Sequence, residues 1–178
     1  MSDQTQYDPH GRGFSDLTQH CLEKGFQAGS VVGTVALVPY AAFRHFRTAP
    51  GQSAAVGTVV QKTYRVLAKS SLWGIAAGAV LEAGMIFAKG IDTEGMEDRA
   101  YKLHYNNSQN RTDLFARDGA LVGAIVGSAA GLNWKNALGG AALGTAAGVF
   151  AHVASYDYKD EGPTPNAMLA EVKHAAQK

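Results

Sequence analysis

The sequence has 178 residues, a formal net charge of +1 and a single cysteine. The length predicts one domain, the near-neutral charge gives no bias toward nucleic acid, and one cysteine excludes an intrachain disulfide and a cysteine-rich zinc site. Glycine is abundant: 21 of the 178 residues are glycine, whereas its average share in proteins is about 7 %. Charged residues make up only 17 % of the sequence.

The N-terminal segment, residues 1–24, predicts a polar arm followed by a short helix. Ser15 is in position to cap this helix, which runs from Asp16 to Lys24. The first twenty residues include several acidic side chains, so neither a secretory signal nor an acid-poor transit peptide is expected there. The first apolar span follows at residues 25–43 and is near the lower length limit for crossing a bilayer.

Residues 44–69 are basic and contain no acidic residue. The mildly amphipathic part, 53–67, predicts either an interfacial helix or the first turns of the second span, which runs over 70–91. A polar loop of mixed charge follows at 92–117.

The third and fourth spans are predicted at 119–132 and 137–155, separated by a short polar turn that contains Trp134. The third span is short, so it must thin the bilayer locally or extend back through Leu114 and Phe115. The C-terminal tail, 156–178, predicts one further short helix because Thr164-Pro165 has the form of an N-cap followed by Pro at the first helical position.

Glycines recur every four residues within all four spans. A four-residue step places side chains close to one helix face, and faces of this kind allow helix backbones to approach closely inside membranes. These faces predict the helix-packing surfaces and comprise Gly25, Gly29, Gly33, Gly74, Gly78, Gly119, Gly123, Gly127, Gly131, Gly140, Gly144 and Gly148. The fold class is therefore all-α: a membrane domain of four short glycine-rich transmembrane helices over 25–155, with short amphipathic helices at the termini.

The basic connection between the first two spans, residues 44–69, predicts how the chain is oriented in the membrane, because basic residues concentrate on the side that did not cross the membrane. With four spans, both termini lie on the opposite side. The same basic side chains are candidate ligands for anionic lipid headgroups such as cardiolipin, a role compatible with topology alone: Arg44, Arg47, Lys62, Arg65 and Lys69.

Glu82 continues the glycine face of the second span, and intramembrane carboxylates often have functional roles. His152 is predicted at a similar depth in the fourth span, so a hydrogen-bonded Glu82–His152 pair is a hypothesis. The alternative places Glu82 nearer the interface, solvated or paired with Lys89. The remaining histidines have no metal-ligand spacing, and no phosphate loop or catalytic set stands out. No catalysis and no cofactor are expected.

The pattern resembles the Tim family of mitochondrial inner-membrane translocase channels, which includes a non-translocating accessory subunit of respiratory complex I. The last hairpin carries the closest resemblance, in Gly119-Ala-Leu-Val-Gly123, the turn at Asn133-Trp134-Lys135-Asn136 and the following Gly140. The translocase pattern of Arg-x3-Asp is not matched, since Arg111 and Asp113 are separated by one residue only. This departure weakens the translocase interpretation more than the accessory-subunit interpretation.

The resemblance implies a non-catalytic scaffold subunit of mitochondrial complex I. Its partners would be other membrane subunits of that large respiratory complex and anionic phospholipid, with both termini on the intermembrane-space side of the inner membrane. One alternative is a Tim-family channel component for preproteins or amino acids. Another is a self-associating glycine-zipper protein outside mitochondria.

Overall fold

The computed structural model describes residue 8 and residues 10–48, 56–131 and 133–156. The described residues form helices joined by short turns, in agreement with the predicted all-α class. The helix predicted after Thr164-Pro165 lies outside the described residues. The helices are α1 (Gly13–Val32), a π-helical turn (Gly33–Leu37), α2 (Val38–Thr48), α3 (Val56–Lys89), α4 (Thr93–His104), α5 (Asn107–Ala129) and α6 (Trp134–Ser155).

Helix α1 passes through residue 24 without a break, so the short helix expected at 16–24 is part of the first span. Arg12, and not Ser15, occupies the N-cap position. The π-helical turn lies just before Pro39, where the missing N–H and the bulk of the ring disturb a regular helix. There the N–H of Val38 bonds to the carbonyl of Gly33, five residues back. The wider turn lets α1 and α2 continue as one rod across the proline.

Helix α3 is a continuous helix of 34 residues. It contains the described part of the amphipathic segment, residues 56–67, and this part forms the first turns of the second span instead of a separate interfacial helix. The helix ends at Lys89, and the next residue, Gly90, has a positive φ of 56°, a left-handed conformation that glycine adopts at little cost. The N–H of Ile91 then bonds to the carbonyl of Ile86.

The segment expected to be a polar loop, 92–117, is largely helical, which corrects the sequence-based prediction. Asp92 caps α4 by accepting from the N–H of Gly95 at 2.8 Å, and Asn106 caps α5 by accepting from Gln109 at 3.1 Å. Side-chain oxygens of this kind satisfy N–H groups that a helix start leaves unpaired. The third span therefore belongs to a longer helix that extends back beyond Leu114 and Phe115.

The helices pack as two hairpins, α1 with α3 and α5 with α6, and α6 lies against both α1 and α3. Helix α4 packs against α1. At one end of the bundle, Tyr64 of α3 lies against Gly139 of α6. At the other end, Arg111 of α5 bonds to the Ser155 carbonyl of α6 at 3.4 Å. We call these the basic end and the mixed-charge end, because the residues from 44 to 69 carry no acid whereas 92–118 carry both signs.

In the part of the chain that the structure describes, three helices are long and apolar enough to cross a membrane: Gly13–His45, Gly57–Lys89 and Trp134–Ser155. Helix α5 is not among them. Every 18-residue stretch of α5 includes at least three of its four charged residues, which are Arg111, Asp113, Arg117 and Asp118.

Most large apolar side chains face outward, whereas the buried positions are mainly small or polar. Trp73 and Phe87 of α3 are 76 % and 85 % exposed, and Val153 of α6 is 67 % exposed. Helix α5 follows the same rule, with Leu121 and Ile125 each 64 % exposed. A water-soluble protein rarely exposes so large a contiguous apolar surface, so this arrangement is that of a membrane protein.

Candidate functional site

The α1–α3 interface is a seam of glycines. A Cβ atom at Gly25 would overlap the carbonyl of Gly74, and one at Gly29 would overlap the carbonyl of Ser70. Gly78 lies against the carbonyl of Cys21 in the same way. The obstructing atoms belong to the backbone and cannot rotate away, so the two helices approach this closely only because these positions lack a side chain.

The α5–α6 interface is a second seam with the same construction. Gly119 faces Gly144, and Gly123 faces Gly140, each in backbone contact with its partner. Gly127 contacts the backbone of Asn136. Gly148 contacts that of Phe115. The four-residue spacing thus brings the predicted stripes of α5 and α6 together in one hairpin.

Two of the twelve predicted glycines do not lie backbone to backbone. Gly33 begins the π-helical turn and faces the Ser70 side chain. Gly131 lies beyond the end of α5 and meets the side-chain amide of Asn136, so it belongs to the turn and not to the seam. The turn residue Asn133 ends this connection by capping α6, accepting from the N–H of Asn136 at 3.0 Å.

Glu82 and His152 are not paired, which corrects the predicted intramembrane pair. The buried Glu82 carboxylate accepts from the Thr18 hydroxyl of α1 at 2.6 Å. His152 is also buried, but it packs between the rings of Phe115 and Tyr156. Each residue continues the glycine stripe of its own helix, and these stripes face different partners: α3 faces α1, whereas α6 faces α5. Similar depth therefore does not bring the two side chains together.

The five predicted lipid-binding residues all lie at the basic end and are exposed. Lys62, Arg65 and Lys69 follow one another along one face of α3, and we call them the basic face. Arg44 and Arg47 lie on α2, where the Arg47 guanidinium is 5.7 Å from the Phe43 ring centre. At the same end, the ammonium group of Lys135 lies 5.5 Å from the ring of the exposed Trp134.

A polar pocket of about 180 Å³ opens between α1, α4 and α5 toward the mixed-charge end. Helix α4 contributes Leu103 and His104 to its wall. We call it the α1–α5 pocket; its charged lining includes Asp16, His20, Glu23, Asp113 and Arg117.

Ion pairs across the α1–α5 pocket join helices that are distant in sequence. The Lys24 ammonium lies 2.5 Å from the Asp113 carboxylate, and the Gln27 amide donates to the same oxygen at 2.6 Å. Arg117 binds Glu23 through two hydrogen bonds of 2.8 and 2.7 Å. Bidentate pairing of this kind fixes geometry as well as charge.

Asp113 is the most deeply placed charge of this network, with its side chain only 10 % exposed. A carboxylate in such a position needs a cation and hydrogen-bond donors to offset its lost hydration. Lys24 and Gln27 supply both, while His20 Nδ1 lies 3.8 Å away. Within the described part of the chain, no group of three or more His, Cys, Asp or Glu side chains is placed to hold a metal ion.

Sequence reasoning missed this network. One signal was available: His20, Glu23, Lys24 and Gln27 follow the i, i+3, i+4, i+7 spacing of a single helix face. Asp113 and Arg117 are likewise four residues apart on α5. Whether these two helix faces meet depends on tertiary packing, which the sequence alone does not show.

The comparisons with known proteins identify a family. A family model described as a protein of unknown function (DUF1757) matches residues 12–155. The chain belongs to the DUF1757 family. The matched region begins at the N-cap of α1 and ends at the last residue of α6, so it coincides with the helical unit described above. No curated protein matches the sequence.

Proposed function

We propose that this DUF1757 protein is a non-catalytic scaffold subunit embedded in the mitochondrial inner membrane. In this proposal α5 is a fourth membrane span, and both termini lie on the intermembrane-space side. The complex it stabilises is respiratory complex I, through contacts with other membrane subunits and with anionic phospholipid such as cardiolipin. The assignment to complex I and to the mitochondrial inner membrane rests on the resemblance to the Tim-like accessory subunit.

The observation that carries the scaffold role is the inside-out packing. The inward faces of the helices form the glycine seams, and the outward faces of α3, α5 and α6 bear large apolar side chains such as Trp73, Ile125 and Val153. In a bilayer these outward faces meet lipid or partner helices. A protein built in this way offers rigid packing surfaces to partner helices.

The proposal of a fourth span rests on how α5 compensates its charges. Asp113 and Arg117 are paired with α1, so these two charges do not face lipid alone. Beyond them, Leu121, Val122 and Ile125 are exposed and apolar. Mean hydropathy treats every charged residue as unpaired, although pairing lowers the free-energy cost of placing a charge within a membrane.

One observation favours the second candidate, a Tim-family translocase or channel component. The α1–α5 pocket provides a polar, charged surface between helices, which a transported peptide or amino acid requires. Its deepest carboxylate, Asp113, is already paired with the Lys24 ammonium and accepts a hydrogen bond from the Gln27 amide. We therefore place the transport role second.

Native electrophoresis of membranes dissolved in mild detergent tests the proposal, with mass spectrometry of the excised bands. The scaffold role predicts that the chain migrates with a very large complex that has NADH dehydrogenase activity. Its deletion is expected to reduce that complex and to leave preprotein import intact. Migration with import components, or an unchanged complex after deletion, contradicts the assignment.

A further inference from the structure

A second cavity, separate from the α1–α5 pocket, lies along the outer side of the α5–α6 hairpin. Its volume is about 480 Å³, within the range of about 300–1,000 Å³ typical of small-molecule sites. The α5–α6 glycine seam forms its floor, and Val122, Val126, Leu143 and Ala147 form its walls. We call this cavity the outer groove. Its lining is mainly apolar.

The outer groove is about one leaflet long. Along α6 its lining extends from Gly140 to Ala151, which at about 1.5 Å per residue is about 16 Å. The hydrocarbon core of a bilayer is about 30 Å thick. Tyr64 of α3 lies at the basic end of the groove, and Phe115 at the other. A crossing helix would need a path twice as long, whereas an acyl chain occupies a single leaflet.

Asp118 is a charged residue of the outer groove's lining and lies about one turn inside the mixed-charge end, next to Phe115. This carboxylate is exposed and has no hydrogen-bond or ion-pair partner among the residues that the structure describes, in contrast to Asp113 and Arg117 on the same helix. It lies between the exposed side chains of Leu114 and Leu121, at the margin of the apolar surface. A carboxylate so placed favours a cation beside it.

We propose that the outer groove binds one acyl chain of an aminophospholipid such as phosphatidylethanolamine, with the headgroup ammonium on Asp118. A primary ammonium donates charge-assisted hydrogen bonds to a carboxylate. A choline headgroup has no N–H to donate, and the net-negative headgroups of phosphatidylglycerol and cardiolipin are repelled. The inference depends on the membrane location of the chain and not on its assignment to complex I.

Electron paramagnetic resonance with spin-labelled phospholipids tests this site on the full chain reconstituted in phosphatidylcholine vesicles. The wild type is expected to hold labelled phosphatidylethanolamine about two- to fivefold more strongly than phosphatidylcholine, the range of a solvent-accessible ion pair. Asp118→Asn should abolish this preference and leave the number of immobilised chains unchanged. Ala147→Leu, which fills the groove, should remove one immobilised chain per protein for every headgroup.

Two matched variants separate the groove from general effects. Asp98→Asn removes an exposed carboxylate of α4, and Ala154→Leu enlarges an exposed side chain of α6 that is not among those lining the groove. Both should behave like the wild type. Equal retention of all headgroups, a preference for phosphatidylglycerol, or loss of the preference in Asp98→Asn would overturn the proposal.

Occupation by protein instead of lipid is a further outcome of the test. In a Cys21→Ser background, Val122→Cys should stay uncross-linked under oxidising conditions in the same vesicles. A disulfide-linked dimer would place a second copy in the groove and overturn lipid binding. This result does not bear on migration with complex I, so this inference and the proposed function fail independently.

Discussion

Gly144→Ala provides a direct test of the α5–α6 seam. The new Cβ atom would overlap the Gly119 carbonyl oxygen, lie 2.7 Å from the Gly119 carbonyl carbon and lie 3.1 Å from Gly123 Cα. Carbon atoms prefer separations of about 3.5–4.0 Å, so the two helices must move apart by about 1 Å. Overpacking of this kind costs about 3 kcal/mol at its upper range. The better helix propensity of alanine offsets about 1 kcal/mol, which leaves a net loss of about 2 kcal/mol in the free energy of unfolding.

Gly84→Ala is the matched control, since it makes the same chemical change within α3, more than one turn from the end of that helix. A Cβ atom at Gly84 has nothing within 4 Å, so only the propensity gain remains, and stability should rise by about 0.5–1 kcal/mol. Thermal unfolding in mild detergent, followed by circular dichroism, should show Gly144→Ala about 4–8 °C below the wild type and Gly84→Ala slightly above it. If Gly144→Ala equals or exceeds the wild type, the backbone contact that defines the seam is absent.

Three further predictions concern charge and topology. Lys24→Met should lower the free energy of unfolding in detergent by about 2–3 kcal/mol, less than the loss of a fully buried pair because Lys24 keeps some solvent access. The double variant Lys24→Met with Asp113→Leu should recover part of this loss, and no recovery would show that the two side chains act independently. With Cys21→Ser as background, Ser108→Cys and Lys135→Cys should react with impermeant maleimide from opposite sides of sealed vesicles; labelling from one side would rule out α5 as a span. Replacing the basic face by glutamine should lower cardiolipin retention in native mass spectrometry by about 1 kcal/mol per residue, whereas unchanged retention would leave these residues to topology.

The sequence predicted the hairpin seams better than the charge network. The repeats at Gly119 and Gly140 fix a helix face by geometry alone, because residues four apart in a helix always lie near one another. Which face meets which is then constrained by the short turn between α5 and α6. No such constraint acts on Lys24 and Asp113, which are 89 residues apart.

The fourth span shows the same limit in another form. By composition alone, α5 is too highly charged for a membrane span, because it contains Arg111, Asp113, Arg117 and Asp118. Composition does not show which of these charges are paired. Packing against α1 pairs Asp113 and Arg117, and it leaves Asp118 in the lining of the outer groove. The cost of a charge in or near a membrane is thus a tertiary property.

By itself the sequence determined an all-α chain, the glycine faces, and a basic end without acidic residues. These follow from local periodicity and composition, which depend on near neighbours along the chain. Only the tertiary structure decided that Glu82 faces Thr18 and not His152, that Lys24 lies on Asp113, and that a polar pocket opens beside α4. Each of these depends on the rotation and docking of whole helices, because two residues at equal depth meet only when their faces point at one another.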